Sequence, residues 1–211
     1  MGGGVPLREG DMILAASLLL VSPSIFAQYE RRGDKSWELR VYELPSQRVL
    51  TILRTFGDEE VPFAMSPDGQ IAVSDYKGVH HWSRKSGWRR VDHFGLMLYE
   101  GNWTFGENSA ANSGQFSPDG RYFLFRVYPT MGASDMNSAA ITVFRVSDLR
   151  RWVPEVNTTT ARWETSRKIV YDAIWFEEDA TGNVVERNKP GSVMLPTRER
   201  DWIAVPRETT R

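Results

Sequence analysis

Cysteine is absent from the 211 residues. Disulfide staples, cysteine-based zinc sites and thiol nucleophiles are therefore excluded, although the absence does not fix the redox compartment. Histidine is scarce, with three copies at His80, His81 and His93. An excess of one charge is missing as well: 26 basic residues against 27 acidic ones leave a formal net charge of −1. A bulk electrostatic grip on nucleic acid or on an anionic membrane has no basis in that balance. No apolar run is long enough to span a bilayer. The longest, Met12–Leu20 with Val21-Ser22-Pro23 after it, ends near Ala27 and is too short and interrupted. Stable membrane insertion is not expected.

That stretch has two readings. Its length suits the apolar region of a signal peptide, which would place the protein in the periplasm or outside the cell. The flanks fit poorly, because Arg8 is offset by Glu9 and Asp11 and because Ile25 is large for a cleavage site ending at Ala27. The other reading is a pair of buried strands and a cytoplasmic protein, and the repeats below favour it.

What is present is an ordinary globular composition, 41% hydrophobic and 25% charged, with eight Trp, seven Tyr and ten Phe. Long disorder is not expected, and the aromatic load suits strands. The length suggests one domain over residues 1–211.

Self-similarity organises the chain. Ser66-Pro67-Asp68-Gly69 and Ser117-Pro118-Asp119-Gly120 are the same tetrapeptide. A weaker copy, Ser22-Pro23-Ser24, lies upstream, and a degenerate one, Thr165-Ser166-Arg167-Lys168, lies downstream. The interval is roughly 45–50 residues, the period of propeller blades. In each copy Pro presets φ, Ser and Asp bond the local backbone, and Gly relieves strain at the end of a tight turn. Strand-like segments flank the turns: Leu18–Val21 and Ile25–Tyr29, Pro62–Met65 and Ile71–Tyr76, Gly114–Phe116 and Tyr122–Tyr128, Ala161–Glu164 and Ile169–Trp175. A third strand follows in each at Glu38–Leu44, Val79–Ser83, Ile141–Val146 and Val184–Arg187. A short turn and a fourth strand close each unit, at Arg48–Leu53, Trp88–Phe94, Arg150–Val153 and Ser192–Leu195; the last of these turns is Asn188–Gly191. The repeats run approximately over 17–53, 61–94, 113–153 and 161–195, with further strands at Met12–Ala16 and Trp202–Val205. Those flanking strands either pair in a composite sheet joining the chain ends or are the edges of a larger propeller. The expected fold is all-β: a β-propeller of about four to five four-stranded antiparallel blades, closed or partial.

The segments Phe116–Arg126 with Ile141–Val153, and Trp37–Leu50 with its Val-Tyr-Glu-Leu-Pro run, resemble WD-repeat-like β-propeller blades of the TolB type. The resemblance covers residues 17 to 195. The chain departs from the WD repeat in the strict sense, since no Trp-Asp dipeptide closes a third strand, and the fourth copy has lost its turn signature. The resemblance implies a scaffold. It also allows the alternative of a propeller enzyme, or of a gating domain like those that serine peptidases carry.

In a propeller the connections from strand two to three, and from strand four to the next blade, share one face. The long connections collect there: Arg31–Ser36, Arg54–Glu60, Gly95–Asn112, Pro129–Ser138, Glu155–Thr160 and Glu177–Asn183. Long loops on a rigid scaffold are the usual carriers of function. The candidate binding residues are Trp103, Phe105, Met131, Met136, Arg31 and Arg32, of which the aromatics and methionines suit adaptable apolar contacts. A protein or peptide partner is expected, and nucleic acid is not.

No catalytic or metal-binding residues are assigned, and no cofactor is expected. His80 and His81 are adjacent on a strand and point to opposite faces, so they do not easily chelate one metal. No G-x-S-x-G elbow and no phosphate-cradling glycine loop is present. Glu177-Glu178-Asp179 reads as a solvated acidic turn, with a weak cation site as the alternative. Arg89-Arg90 and Arg150-Arg151, beside Trp88 and Trp152, read as guards of exposed strand edges, with base stacking as the rival.

Overall fold

The repeated tetrapeptide builds the same turn twice. Gly69 N–H donates to the Ser66 carbonyl at 3.0 Å, and Ser66 N–H closes on the Gln70 carbonyl at 2.9 Å. The Ser66 hydroxyl donates to the Asp68 carboxylate and accepts the Gln70 N–H. Ser117, Asp119 and Gly120 repeat these contacts, with the closing pair one residue further on at Tyr122. Gly69 and Gly120 sit at φ 82° and 68°, the left-handed region where a side chain is strained.

The computed structural model describes residues 19–21, 24–31, 37–55, 63–75, 78–92, 114–127, 140–154, 156, 158 and 160–204. Their strands form four antiparallel sheets. Sheet 1 holds β1 (Leu19–Val21), β2 (Ile25–Arg31), β3 (Trp37–Glu43) and β4 (Val49–Thr55). Sheet 2 holds β5 (Phe63–Met65), β6 (Ile71–Asp75), β7 (Gly78–Ser83) and β8 (Gly87–Asp92). Sheet 3 holds β9 (Gly114–Phe116), β10 (Tyr122–Val127), β11 (Ala140–Arg145) and β12 (Arg151–Trp152). Sheet 4 holds β13 (Arg162–Thr165), β14 (Lys168–Glu178) and β15 (Val184–Met194). Each sheet is a meander whose spatial order follows the chain.

Sheets pack face to face in chain order. One core cluster joins sheets 1 and 2 through Ile25, Tyr29, Leu39, Phe63, Val73 and Trp82. A second joins sheets 2 and 3 through Ala72, Val79, Val91, Phe116, Phe123 and Phe144. A third joins sheets 3 and 4 through Leu124, Ile141, Val143, Ile169 and Leu195. Sheet 2 is therefore covered on both faces, which is why β7 is buried continuously from Gly78 to Trp82. First strands lie beside first strands, with β5 touching both β1 and β9 and β9 touching β13. Gly114 permits this approach: a Cβ there would lie 2.6 Å from the Phe125 ring and 3.3 Å from Ala64 Cβ. Stacked antiparallel meanders of three or four strands with adjacent first strands are propeller blades. Among the described residues no core cluster joins sheet 4 to sheet 1, an arrangement consistent with a partial propeller.

Two expectations are corrected. The fourth unit does not divide at Asn188–Gly191; β14 and β15 pair without interruption from Lys168–Met194 to Glu178–Val184. Pro190 is tolerated because β15 is an edge strand, and Gly191 lies under the Tyr171 ring, where a Cβ would come within 2.7 Å. Residues 202–203 add no strand to a sheet joining the chain ends. Ile203 instead makes an isolated antiparallel bridge with Arg151 on sheet 3. Met12–Ala16 lies outside the described residues.

Candidate functional site

The sheets present two different ends. At one, the short turns of successive blades are laced together. Arg84, in the β7–β8 turn, donates to Glu43 Oε1 of sheet 1 at 2.9 Å. Gln70 Nε2 reaches the Gly120 carbonyl of sheet 3 at 3.1 Å. Arg89 donates to the Val146 and Ser147 carbonyls at 2.6 and 3.2 Å. Arg89 thus clasps the next blade instead of guarding an edge, because its position on β8 faces sheet 3.

His81 sits inside this lacing. It is 1% exposed and stacks on Phe123, 6.0 Å between centroids and 7° between planes. Arg89 Nη2 lies 2.9 Å from Nδ1, and Gln70 Oε1 lies 3.0 Å from Nε2. The guanidinium has only donors, so Nδ1 accepts and Nε2–H donates to Gln70. Burial first, and then the Arg89 charge, push its pKa down to about 4. His80, on the opposite face as expected, packs edge-on against Trp88. These two histidines are interior residues of the blades, and His93 lies outside the described residues.

The other end carries the long connections. Its described portion is the β14–β15 hairpin. β13 pairs only with Lys168, Ile169 and Val170 of β14, and Thr158 bridges to Ala173. Among the described residues, β14 from Ile174 to Glu178 pairs with β15 alone. The hairpin therefore projects beyond its sheet as a two-stranded ribbon. Trp175 and Phe176 point to opposite faces of the ribbon and are 38% and 39% exposed, and Val184 near the tip is 67% exposed. Four of the seven exposed large hydrophobic residues described, Trp175, Phe176, Val184 and Met194, belong to β14 and β15. Trp175 Nε1 donates to Glu177 Oε1 at 2.7 Å, and Arg187 pairs with Glu177 at 3.4 Å.

Asp179 turns the ribbon. Its Oδ1 accepts the Thr181 hydroxyl at 2.6 Å and the N–H groups of Thr181 and Asn183 at 2.8 and 3.0 Å. Gly182 follows at φ 81°. Those donors, the Thr181 hydroxyl first, hold the Asp179 carboxylate down to about 2. The expected long loop Glu177–Asn183 is thus a tight turn, with Glu177 and Glu178 inside β14. No group of three or more His, Asp or Glu among the described residues is placed to hold a metal.

Of the candidate binding residues, Arg31 ends β2. Arg32, Trp103, Phe105, Met131 and Met136 lie outside the described residues. The sequence reading missed Trp175 and Phe176. Their signal was the uninterrupted apolar run Ile174-Trp175-Phe176, which puts apolar side chains on both faces of one strand.

No protein-family model matches the chain, and no curated protein matches it. Among solved structures, the β-propeller domain of the Trilobed protease from Pyrococcus furiosus, described as having an open velcro topology, is similar at a TM-score of 0.49 and 10% identity. The match covers 84% of this chain and 57% of that one, so the chain spans little more than half the length of the protein it matches.

Proposed function

We propose that the chain is a non-catalytic propeller scaffold that binds a protein or peptide at its long-connection end. The observation that carries the reading is the β14–β15 ribbon, which leaves a Trp and a Phe half in solvent on a hairpin braced by its own turn. Exposed aromatic side chains, here one on each face of the ribbon, are enriched where partners bind. Aromatic anchors on a pre-shaped element lose little entropy on binding. The connections holding Trp103, Phe105, Met131 and Met136, together with Arg31 and Arg32, would extend the same surface. The TolB-type assignment of the blades rests on the Ser-Pro-Asp-Gly turns and supports a scaffold without selecting a partner.

The test is selection of peptides from a displayed random library on the whole chain, followed by binding to a Trp175→Ser/Phe176→Ser double variant. Both side chains are partly exposed, and a cooperative melt of the variant establishes that it is folded before binding is read. The reading expects selected peptides to lose at least tenfold in affinity, roughly 1.4 kcal/mol. Peptides that bind both proteins equally, or a hydrolytic activity of the chain itself, would overturn it.

A further inference from the structure

The segment after β15 doubles back onto sheet 3, away from the ribbon. Leu195 is buried, with its N–H on the Arg167 carbonyl. Glu199–Asp201 forms one 3-10 turn. Trp202 then lies stacked on Tyr122, 5.6 Å between centroids and 17° between planes. The Arg145 guanidinium sits 5.2 Å from the Trp202 ring centroid on β11. Glu199 is held by the fork of Arg145, at 2.8 Å to each oxygen, and by Arg150 at 2.5 Å. Ile203 exchanges two backbone hydrogen bonds with Arg151, at 2.8 and 3.0 Å.

This is how an extended peptide is recognised at a sheet edge. Main-chain bonds set the register, and side-chain receptors choose the sequence. Here the edge is the two-residue β12, and the receptors are an aromatic–guanidinium slot and a doubled guanidinium. The receptors also have partners of their own. Asp148 pairs with both Arg145 and Arg150 from within the β11–β12 turn, and Tyr122 belongs to the paired part of β10. The occupant is anchored by Trp202, which is 5% exposed within the core cluster between sheets 3 and 4, and its flanks are attached more lightly. It contributes an isolated bridge and not a strand, Ile203 is 51% exposed, and Glu199 is on the surface.

We propose that the edge of sheet 3 is a peptide-binding groove whose resident ligand is residues 197–204, and that it accepts in trans a peptide of the same chemistry. That chemistry is an acidic residue, a Trp three positions on, and an aliphatic residue next. This site is separate from the ribbon and does not depend on the reading given for it. The covalently linked segment competes at an effective concentration on the order of millimolar, so the groove opens to other peptides when that segment is weakened.

The experiment uses the full chain and a fluorescein-labelled peptide of residues 197–204, read by anisotropy. Ile203→Pro removes a bridging N–H without altering the groove, and Glu199→Ala removes the ionic contact alone. Either variant should bind the peptide at least about tenfold more tightly than the parent. Arg150→Glu added to either should lower that affinity about tenfold, and a peptide with Ala in place of its Trp should not bind. Glu199→Ala touches only an exposed side chain, so it keeps the test decisive if Ile203→Pro does not fold. Equal binding to parent and weakened chains, or binding unaffected by Arg150→Glu, would overturn the proposal.

Discussion

Acid should unfasten sheet 2 from sheet 3 through His81. The ring is neutral in the folded state, with its pKa lowered from 6.5 to about 4 by burial and by Arg89. An unfolded chain returns it to the ordinary value. The folded pKa is depressed, so the unfolded state binds the proton first as pH falls. The stability held above about pH 6.5 is then lost progressively down to about pH 4. Integrated between about pH 7 and about pH 5, the loss from this group alone is about 2 kcal/mol. Protonation would also place a proton on Nδ1, where Arg89 Nη2 already donates at 2.9 Å. The assay is urea unfolding followed by tryptophan fluorescence across that range, for the parent and for His81→Gln. The variant is expected to be less stable at neutral pH, because it loses the stack on Phe123. Its stability should nevertheless fall less steeply with acid, by about 2 kcal/mol over the interval. Parallel profiles would refute the reasoning, since carboxylates elsewhere would then account for all the acid sensitivity.

Gly69→Val and Gly120→Val should each cost about 1–3 kcal/mol in urea unfolding, because both residues hold left-handed backbone in the repeated turn. Gly78→Val should cost at least as much for a different reason: its Cβ would lie 2.4 Å from the Val91 carbonyl oxygen. Asp179→Ala removes the acceptor that three donors share and should loosen the hairpin turn. Hydrogen exchange should then accelerate at Thr181 and Asn183 and leave sheet 2 unchanged. Deleting residues 1–27 takes away β1 and the buried Ala27 and Ile25 of β2; the expected outcome is an insoluble protein, and a soluble product with a cooperative melt would contradict the assignment of these residues to sheet 1.

What was legible in the sequence was what short-range chemistry decides. The Ser-Pro-Asp-Gly turns carry their own hydrogen-bond partners and their own permissive glycine, so turn, flanking strands and period could all be read from adjacent residues. The fourth unit misled because Pro190 and Gly191 imitate a turn. They occupy instead an edge strand, where a missing N–H is harmless and a bare Cα accommodates the Tyr171 ring. The true turn was written in Asp179-Ala180-Thr181-Gly182-Asn183, whose Asp binds the backbone two and four residues on. Arg89, Arg145 and Trp202 could not be read locally. The Val146 and Ser147 carbonyls that Arg89 clasps, and the Glu199 that Arg145 holds, lie some 50 residues or more away along the chain, and Trp202 finds Tyr122 on sheet 3. Exposed Trp175 was hidden by its neighbours, since a three-residue apolar run looks the same in a buried strand as in a projecting one.

The central claim is that the described sheets stack in the series 1–2–3–4 without returning to the first. The absence of cysteine makes paired labelling specific. Spin labels at Ser24→Cys combined in turn with Pro67→Cys, Arg121→Cys and Arg167→Cys place probes on exposed turn positions of the four sheets. Pulsed dipolar distances should lengthen from the first pair to the third, with the Ser24–Arg167 pair the longest. A Ser24–Arg167 distance as short as that of Ser24–Pro67 would contradict the account, because it would bring sheet 4 back against sheet 1 in a closed ring.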